Sequence, residues 1–152
     1  MAYISAEARQ QLLDALGEAT DKIGLALASL GAAYEQLDTD TAEKLEADLF
    51  RPVQLAYGRA RRTYAGFAER HGLQGRTFEP ASAGARSTGV KGFLDSAVEA
   101  VGEADSALAQ LQDSMMPVEV GDAELRAGLA EVRALVGGLR RRARDLVRTL
   151  GR

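Results

Sequence analysis

The chain has 152 residues, 46% of them apolar and 5% aromatic, a formal net charge of −3 and no cysteine. That length suits one domain with a core of its own. The missing cysteines exclude disulfides, thiolate metal sites and cysteine nucleophiles, and no apolar run approaches the ~20 residues that span a bilayer.

Leucine and alanine dominate the apolar share. Both are strong helix formers, whereas strands favour β-branched and aromatic residues. An all-α fold is expected. Residues 1–11, MAYISAEARQQ, show no basic segment followed by an apolar stretch, so no secretory signal is expected. The expectation is a soluble cytoplasmic protein without membrane contact.

The first helix is expected over about 5–37, with Ser5 as its N-cap. Leu13, Leu16, Thr20, Ile23, Leu27, Leu30, Tyr34 and Leu37 alternate three and four apart, the spacing of a coiled-coil-like seam. Gly17, Gly24 and Gly31 recur every seven residues on one flank of it, and Ala19, Ala26 and Ala33 on the other. A glycine costs roughly 1 kcal/mol against alanine inside a helix. Three on one stripe predict a close approach by another helix backbone.

The link at Asp38–Asp40 is a few residues long, which requires an antiparallel neighbour. The second helix is expected over 41–71, with Asp40 as cap, Glu43 completing a box-like start, and Gly72 as its stop. Its seam is Ala42, Leu45, Leu49, Val53, Ala56, Ala60, Tyr64 and Phe67. Pro52 removes one backbone donor and crowds the carbonyl of Asp48, predicting a kink.

Residues 72–87 hold three glycines and Pro80 and read as one long loop, with Phe78 placed to pin it to the bundle. The third helix is expected over 88–116, with seam Leu94, Ala97, Val101, Ala104, Leu108, Leu111 and Met115. Pro117 to Gly121 form a turn. Asp122 then caps a fourth helix over 122–150, whose seam is Leu125, Leu129, Val132, Val136, Leu139, Ala143, Leu146 and Leu150. Together these make one domain, an antiparallel up-down-up-down four-helix bundle of long helices.

Charge is unevenly placed along the chain. Residues 1–50 carry ten acids and three bases, residues 51–100 eight bases and four acids, and residues 140–152 six bases and one acid. In strict alternation the second and fourth helices point to the same end. That end would gather Arg59, Arg61, Arg62 and Arg70 with Arg140, Arg141, Arg142, Arg144, Arg148 and Arg152, joined by Arg76, Arg86 and Lys91. The other end would gather Glu35, Asp38, Asp40, Glu43, Glu46, Asp48, Asp113, Glu119, Asp122 and Glu124. Bases near helix C-termini and acids near N-termini complement the helix dipole. The functional alternative is an anion or polyanion site at the basic end, on Arg59, Arg62, Arg86, Lys91, Arg140, Arg141 and Arg144. Nucleotides and nucleic acid are the ligands it would take, although the acidic pI of about 5.3 argues against general nucleic-acid binding.

Motifs for chemistry are sparse. His71 is the single histidine, so the paired Glu-x-x-His of a di-iron bundle cannot be built. The run Gly84 to Lys91 lacks the order of a phosphate loop, and no serine has a nucleophile-elbow context. Glu43 and Glu46 share a face, and Glu99, Glu103 and Asp105 cluster on the third helix. Two such carboxylate groups on facing helices can hold Mg²⁺. In outline this resembles the all-α nucleotide pyrophosphohydrolases, which would imply divalent-metal hydrolysis of phosphates. The seam positions here are apolar, however, and no lysine is placed to grip phosphate.

The favoured expectation is a non-enzymatic bundle that acts by protein–protein association and needs no cofactor and no metal. Leu25, Val98, Leu135 and Val147 lie off the seams and supply apolar surface for a homodimer or another protein partner. Anion binding and a carboxylate-dependent metal hydrolase stand as the two alternatives.

Overall fold

A computed structural model describes residues 5–150. Helix α1 (Ala6–Glu35) starts where the Ser5 hydroxyl accepts the Ala8 amide at 3.0 Å. Helix α2 (Thr39–Leu45) starts two residues earlier than expected. Asp38, not Asp40, is its cap, accepting the Thr41 amide at 2.8 Å. That bond holds the Asp38 carboxyl below the usual carboxylate range.

At Glu46–Phe50 the helix widens into a π turn, then continues as α3 (Arg51–Arg70). The kink predicted at Pro52 takes this form. Proline has no N–H for the Asp48 carbonyl four residues earlier, and a π turn is a common way to absorb such a defect. Arg142, far along the chain, donates its Nε to that carbonyl at 2.8 Å. Helix α3 closes at Gly72, whose φ is +63°. Leu73 donates to the Ala68 carbonyl at 2.9 Å and Gly72 to Glu69 at 3.3 Å, the two bonds of a Schellman stop.

After the loop come a 3₁₀ turn (Arg86–Thr88) and α4 (Gly89–Asp113), then α5 (Met116–Val120), α6 (Ala123–Val136) and α7 (Leu139–Leu150). Two boundaries differ from the sequence-based expectation. Helix α4 stops at Asp113 because Met115 turns into the left-handed region at φ +65°, and Pro117 lies inside a one-turn helix instead of a bare turn. The fourth long segment is broken between α6 and α7, where Gly138 has φ +82°. A left-handed residue ends an α-helix, and glycine adopts it without a Cβ penalty.

The four long segments pack as an antiparallel all-α bundle, and no strand occurs among the described residues. The route of the chain through that bundle departs from strict alternation. The Gln10 side chain donates to the Gln74 carbonyl, and the Gln36 side chain donates to the Arg86 carbonyl at 3.0 Å. The segment 74–86 therefore runs from the lower end, where α1 begins, to the upper end, where α1 finishes. The distance from residue 10 to 36 along α1 is about 39 Å at 1.5 Å per residue. Twelve extended residues reach about 40 Å at 3.3 Å each. Helix α4 thus starts at the upper end and descends, as α2 and α3 do, so the order is up, down, down, up.

Each long helix still has antiparallel neighbours. Helix α1 packs most extensively on α4 and next on α3, and α6 packs on α3. The crossover is fastened along its length. Arg76 grips Asp21 with both terminal nitrogens, the shorter bond at 2.6 Å. Its guanidinium lies 4.4 Å from the Phe78 ring centre, and Phe78 meets Tyr64 edge-to-face at 4.9 Å. Phe78 does pin the loop, as its position suggested.

The predicted seams form the core. Every seam residue from Ala42 to Phe67, from Leu94 to Leu108 and from Leu125 to Leu146 is buried. Only Tyr34, Met115 and Leu150, each near a helix end, are exposed. The glycine stripe on α1 is covered by aromatic rings from the second long helix, not by a helix backbone. A Cβ at Gly17 would lie 3.2 Å from Tyr64, at Gly24 3.0 Å from Tyr57, and at Gly31 3.9 Å from Phe50. That leaves the buried Ala19, Ala26 and Ala33 flank for α4, whose own buried face includes Ala97, Ala100 and Ala104. Small residues on both sides let these two helices approach closely.

Candidate functional site

The crossover dissolves the expected basic pole. Helices α3 and α7 run to opposite ends, so their arginines separate. Arg70 sits at the lower end, where its guanidinium meets Asp122 at 2.9 Å and Glu124 at 2.6 Å. Arg59 lies midway along α3 and pairs with Glu131 of α6 at 2.6 Å. Arg86, in the 3₁₀ turn, and the arginines of α7 lie toward the upper end, together with Glu35, Asp38, Asp40, Glu43, Glu46 and Asp48. Acids and bases therefore mix at both ends, and Arg152 lies outside the described residues.

Of the seven candidate anion-binding residues, three share one feature. Lys91, Arg140 and Arg144 line a groove of about 1320 Å³ between α4 and α7. Arg62 lines a separate, smaller pocket. Arg59, Arg86 and Arg141 line neither.

The groove is a consequence of local sequence. At its lower part Arg133 ties α6 to α4, donating to Asp105 and to Gln112 at 2.8 Å each. Above this tie the Gly137–Gly138 break re-aims the chain, and α7 continues beside α4. The floor is apolar: Leu94, Val98 and Val101 from α4 meet Leu139, Ala143 and Val147 from α7. The walls carry opposite charge. Asp95, Glu99, Glu103 and Asp105 outnumber Lys91 on the α4 wall, whereas the α7 wall presents Arg140, Arg144 and Arg148.

Several of these charges are already engaged. Lys91 reaches Asp95 at 3.2 Å, and Lys22 of α1 reaches Glu103 at 2.8 Å. That contact raises the Lys22 pKa above its ordinary value, chiefly through the hydrogen bond to Glu103. Among the described residues Glu99, Arg140 and Arg144 form no ion pair. Val98 and Val147, two of the four off-seam apolar residues, are half-buried on the groove floor.

Matched against protein-family models, curated proteins and solved structures, the chain is similar to none.

The smaller pocket, of about 470 Å³, lies where the crossover passes α3 and is lined by Arg61, Arg62, Arg76 and Thr77 beside Tyr64 and Phe78. Arg76 is committed to Asp21, and the Arg61 guanidinium lies 5.2 Å from the Tyr57 ring centre. The carboxylates considered for a metal do not assemble. Glu43 and Glu46 belong to the upper end of the second segment, Asp105 is held by Arg133, and no three acidic or histidine side chains gather among the described residues. His71 is bound to Asp122 at 2.9 Å, and no serine or threonine hydroxyl reaches it among the described residues. No described helix is long and apolar enough to cross a membrane.

The groove was only half visible in the sequence. The valines at 98 and 147 signalled apolar surface beyond the seams. The adjacent glycines at 137 and 138 were the signal for the break that opens the groove, but a continuous seam from Leu125 to Leu150 masked it.

Proposed function

We propose that this chain is a non-enzymatic helical-bundle protein that acts by association, with the groove between α4 and α7 as its docking surface. The observation that carries this reading is the groove itself, an open apolar floor between two oppositely charged walls. Helix-in-groove recognition uses that combination, with apolar anchors for affinity and flanking charge for register.

A photo-reactive amino acid placed at Ser106, an exposed groove residue, tests it in cells that produce the protein. A discrete adduct of fixed mass is expected from Ser106 and none from the same residue placed at Gln54 on exposed α3. No adduct from the groove position, or identical adducts from both, would remove the docking role.

A second reading, anion binding, is favoured by the arginines around the smaller pocket. Polyphosphate should then bind at low salt, weaken as salt rises, and lose most of its affinity with Arg62→Glu. Binding that is insensitive to Arg62→Glu would place the anion elsewhere.

A further inference from the structure

We propose that the occupant of the groove is a second copy of this chain, joined about a two-fold axis that runs along the groove. The inference rests on the association reading and adds the partner and the symmetry.

Charge complementarity selects the partner. A two-fold dimer brings the same surface of both copies together, and here that surface is divided lengthwise into an acidic and a basic wall. An axis along the groove lays α7 of each copy on α4 of the other, basic wall on acidic wall. An axis across the groove lays α4 on α4 and α7 on α7, which sets like charges in contact and disfavours that dimer.

The register follows from the helix directions. Asp105 and Arg133 mark one level, since they are bonded. Glu99 lies six residues above Asp105 on α4, and Arg140 seven above Arg133 on the ascending chain. Glu99 is about 9 Å higher at 1.5 Å per residue, and Arg140 is higher still, because Gly137 and Gly138 between it and Arg133 are not helical. One turn further up, α4 carries Asp95 and α7 carries Arg144. An axis along the groove preserves level, so the stretch Asp95–Glu99 of one copy faces the stretch Arg140–Arg144 of the other, and each contact occurs twice.

The groups so matched include Glu99, Arg140 and Arg144, the groove charges without an ion pair among the described residues. Between them the half-buried Val98 and Val147 come under cover. The two α4 and two α7 helices then form a four-helix layer of the kind each chain already builds inside.

Sedimentation of the purified full chain over a range of concentrations is the first test. A species of twice the 16.2 kDa chain mass is expected. Glu99→Arg and Arg140→Glu should each weaken the dimer by about tenfold, and the two changes combined in one chain should restore it, with unchanged circular dichroism throughout. A dimer indifferent to all three variants would overturn the proposed face. The axis is read separately. The chain has no cysteine of its own, so Glu99→Cys and Arg140→Cys proteins can be mixed and treated with a short thiol cross-linker. Cross-links between unlike chains are expected; cross-links only between like chains would overturn the axis. A monomer at every concentration would overturn self-association. If Ser106 still gave a discrete adduct in cells, docking would stand with another partner; if it gave none, both readings would fall.

Discussion

Replacing Asp122 with alanine is expected to cost on the order of 3 kcal/mol and to lower Tm by roughly 6–12 °C. This carboxylate is the most heavily used polar group in the fold, with a side chain 5% exposed. It caps α6 by accepting the Leu125 amide at 2.9 Å. Arg70 donates to both its oxygens at 2.9 Å, and His71 Nε2 donates at 2.9 Å. Burial disfavours its charge, but the Arg70 fork, the Leu125 amide and His71 outweigh burial and hold its carboxyl below the usual carboxylate range. Alanine leaves Arg70 with Glu124 alone and α6 without a cap.

The same carboxylate makes stability depend on pH, with a definite sign. Its folded pKa is depressed, so the native state favours the ionised form. The stabilisation is complete above the unfolded value of about 3.9 and disappears as pH falls through the lower folded value. Asp122→Asn keeps the capping oxygen and removes the charge. Wild type should melt higher than this variant at neutral pH, and the gap should close in strong acid. An equal gap at both pH values would show that the charge contributes nothing.

Gly128→Ala should destabilise by about 1–3 kcal/mol, although alanine gains roughly 1 kcal/mol over glycine inside a helix. Here α6 crosses α3 so closely that a Cβ would overlap the Thr63 hydroxyl and lie 2.7 Å from its methyl carbon. Thr63 is 4% exposed and its hydroxyl is bonded to the Arg59 carbonyl at 2.8 Å, so it has nowhere to go. Gly102→Ala provides the contrast, because a Cβ there meets nothing within 4 Å; it should raise Tm. Thr63→Ala should recover part of the loss in the Gly128→Ala background, as a double-mutant cycle would show. Equal melting of Gly128→Ala and wild type would rule out the close crossing.

The sequence announced its helices because each seam is a long, regular pattern that burial alone explains. Ser5 and Asp122 began helices and Gly72 ended one, as their chemistry requires. What stayed hidden depends on contacts between distant segments. Gly128 sits in α6 as one glycine among sixteen, and nothing local distinguishes it from Gly102. The glycine stripe on α1 did mark a helix contact, but aromatic rings and a bare backbone ask for the same small residue. The direction of α4 could not be read from the composition of its preceding loop. Residues 72–87 are long enough either to fold back at one end or to stretch to the other, and Arg76 on Asp21 and Gln36 on Arg86 decide the matter. From that choice followed the scattering of the arginines and the loss of the expected pole. The groove was hidden for the same reason, since it exists only once α7 is set beside α4.

The crossover also fixes the order in which this protein can be completed during synthesis. Helices α1 to α3 emerge as a hairpin that closes through a link of a few residues. The broadest face of α1, however, is reserved for α4, and that helix is made only after the whole crossover. Until then the row at Ala19, Ala26 and Ala33 stays wet, and the nascent hairpin is an unfinished half with an apolar side open to its neighbours on the same message. Such exposure is where misassembly begins in multi-step folding, and a contact this distant in sequence slows the step that ends it. Alanine, the least sticky apolar residue that still packs, is well suited to a surface that must wait.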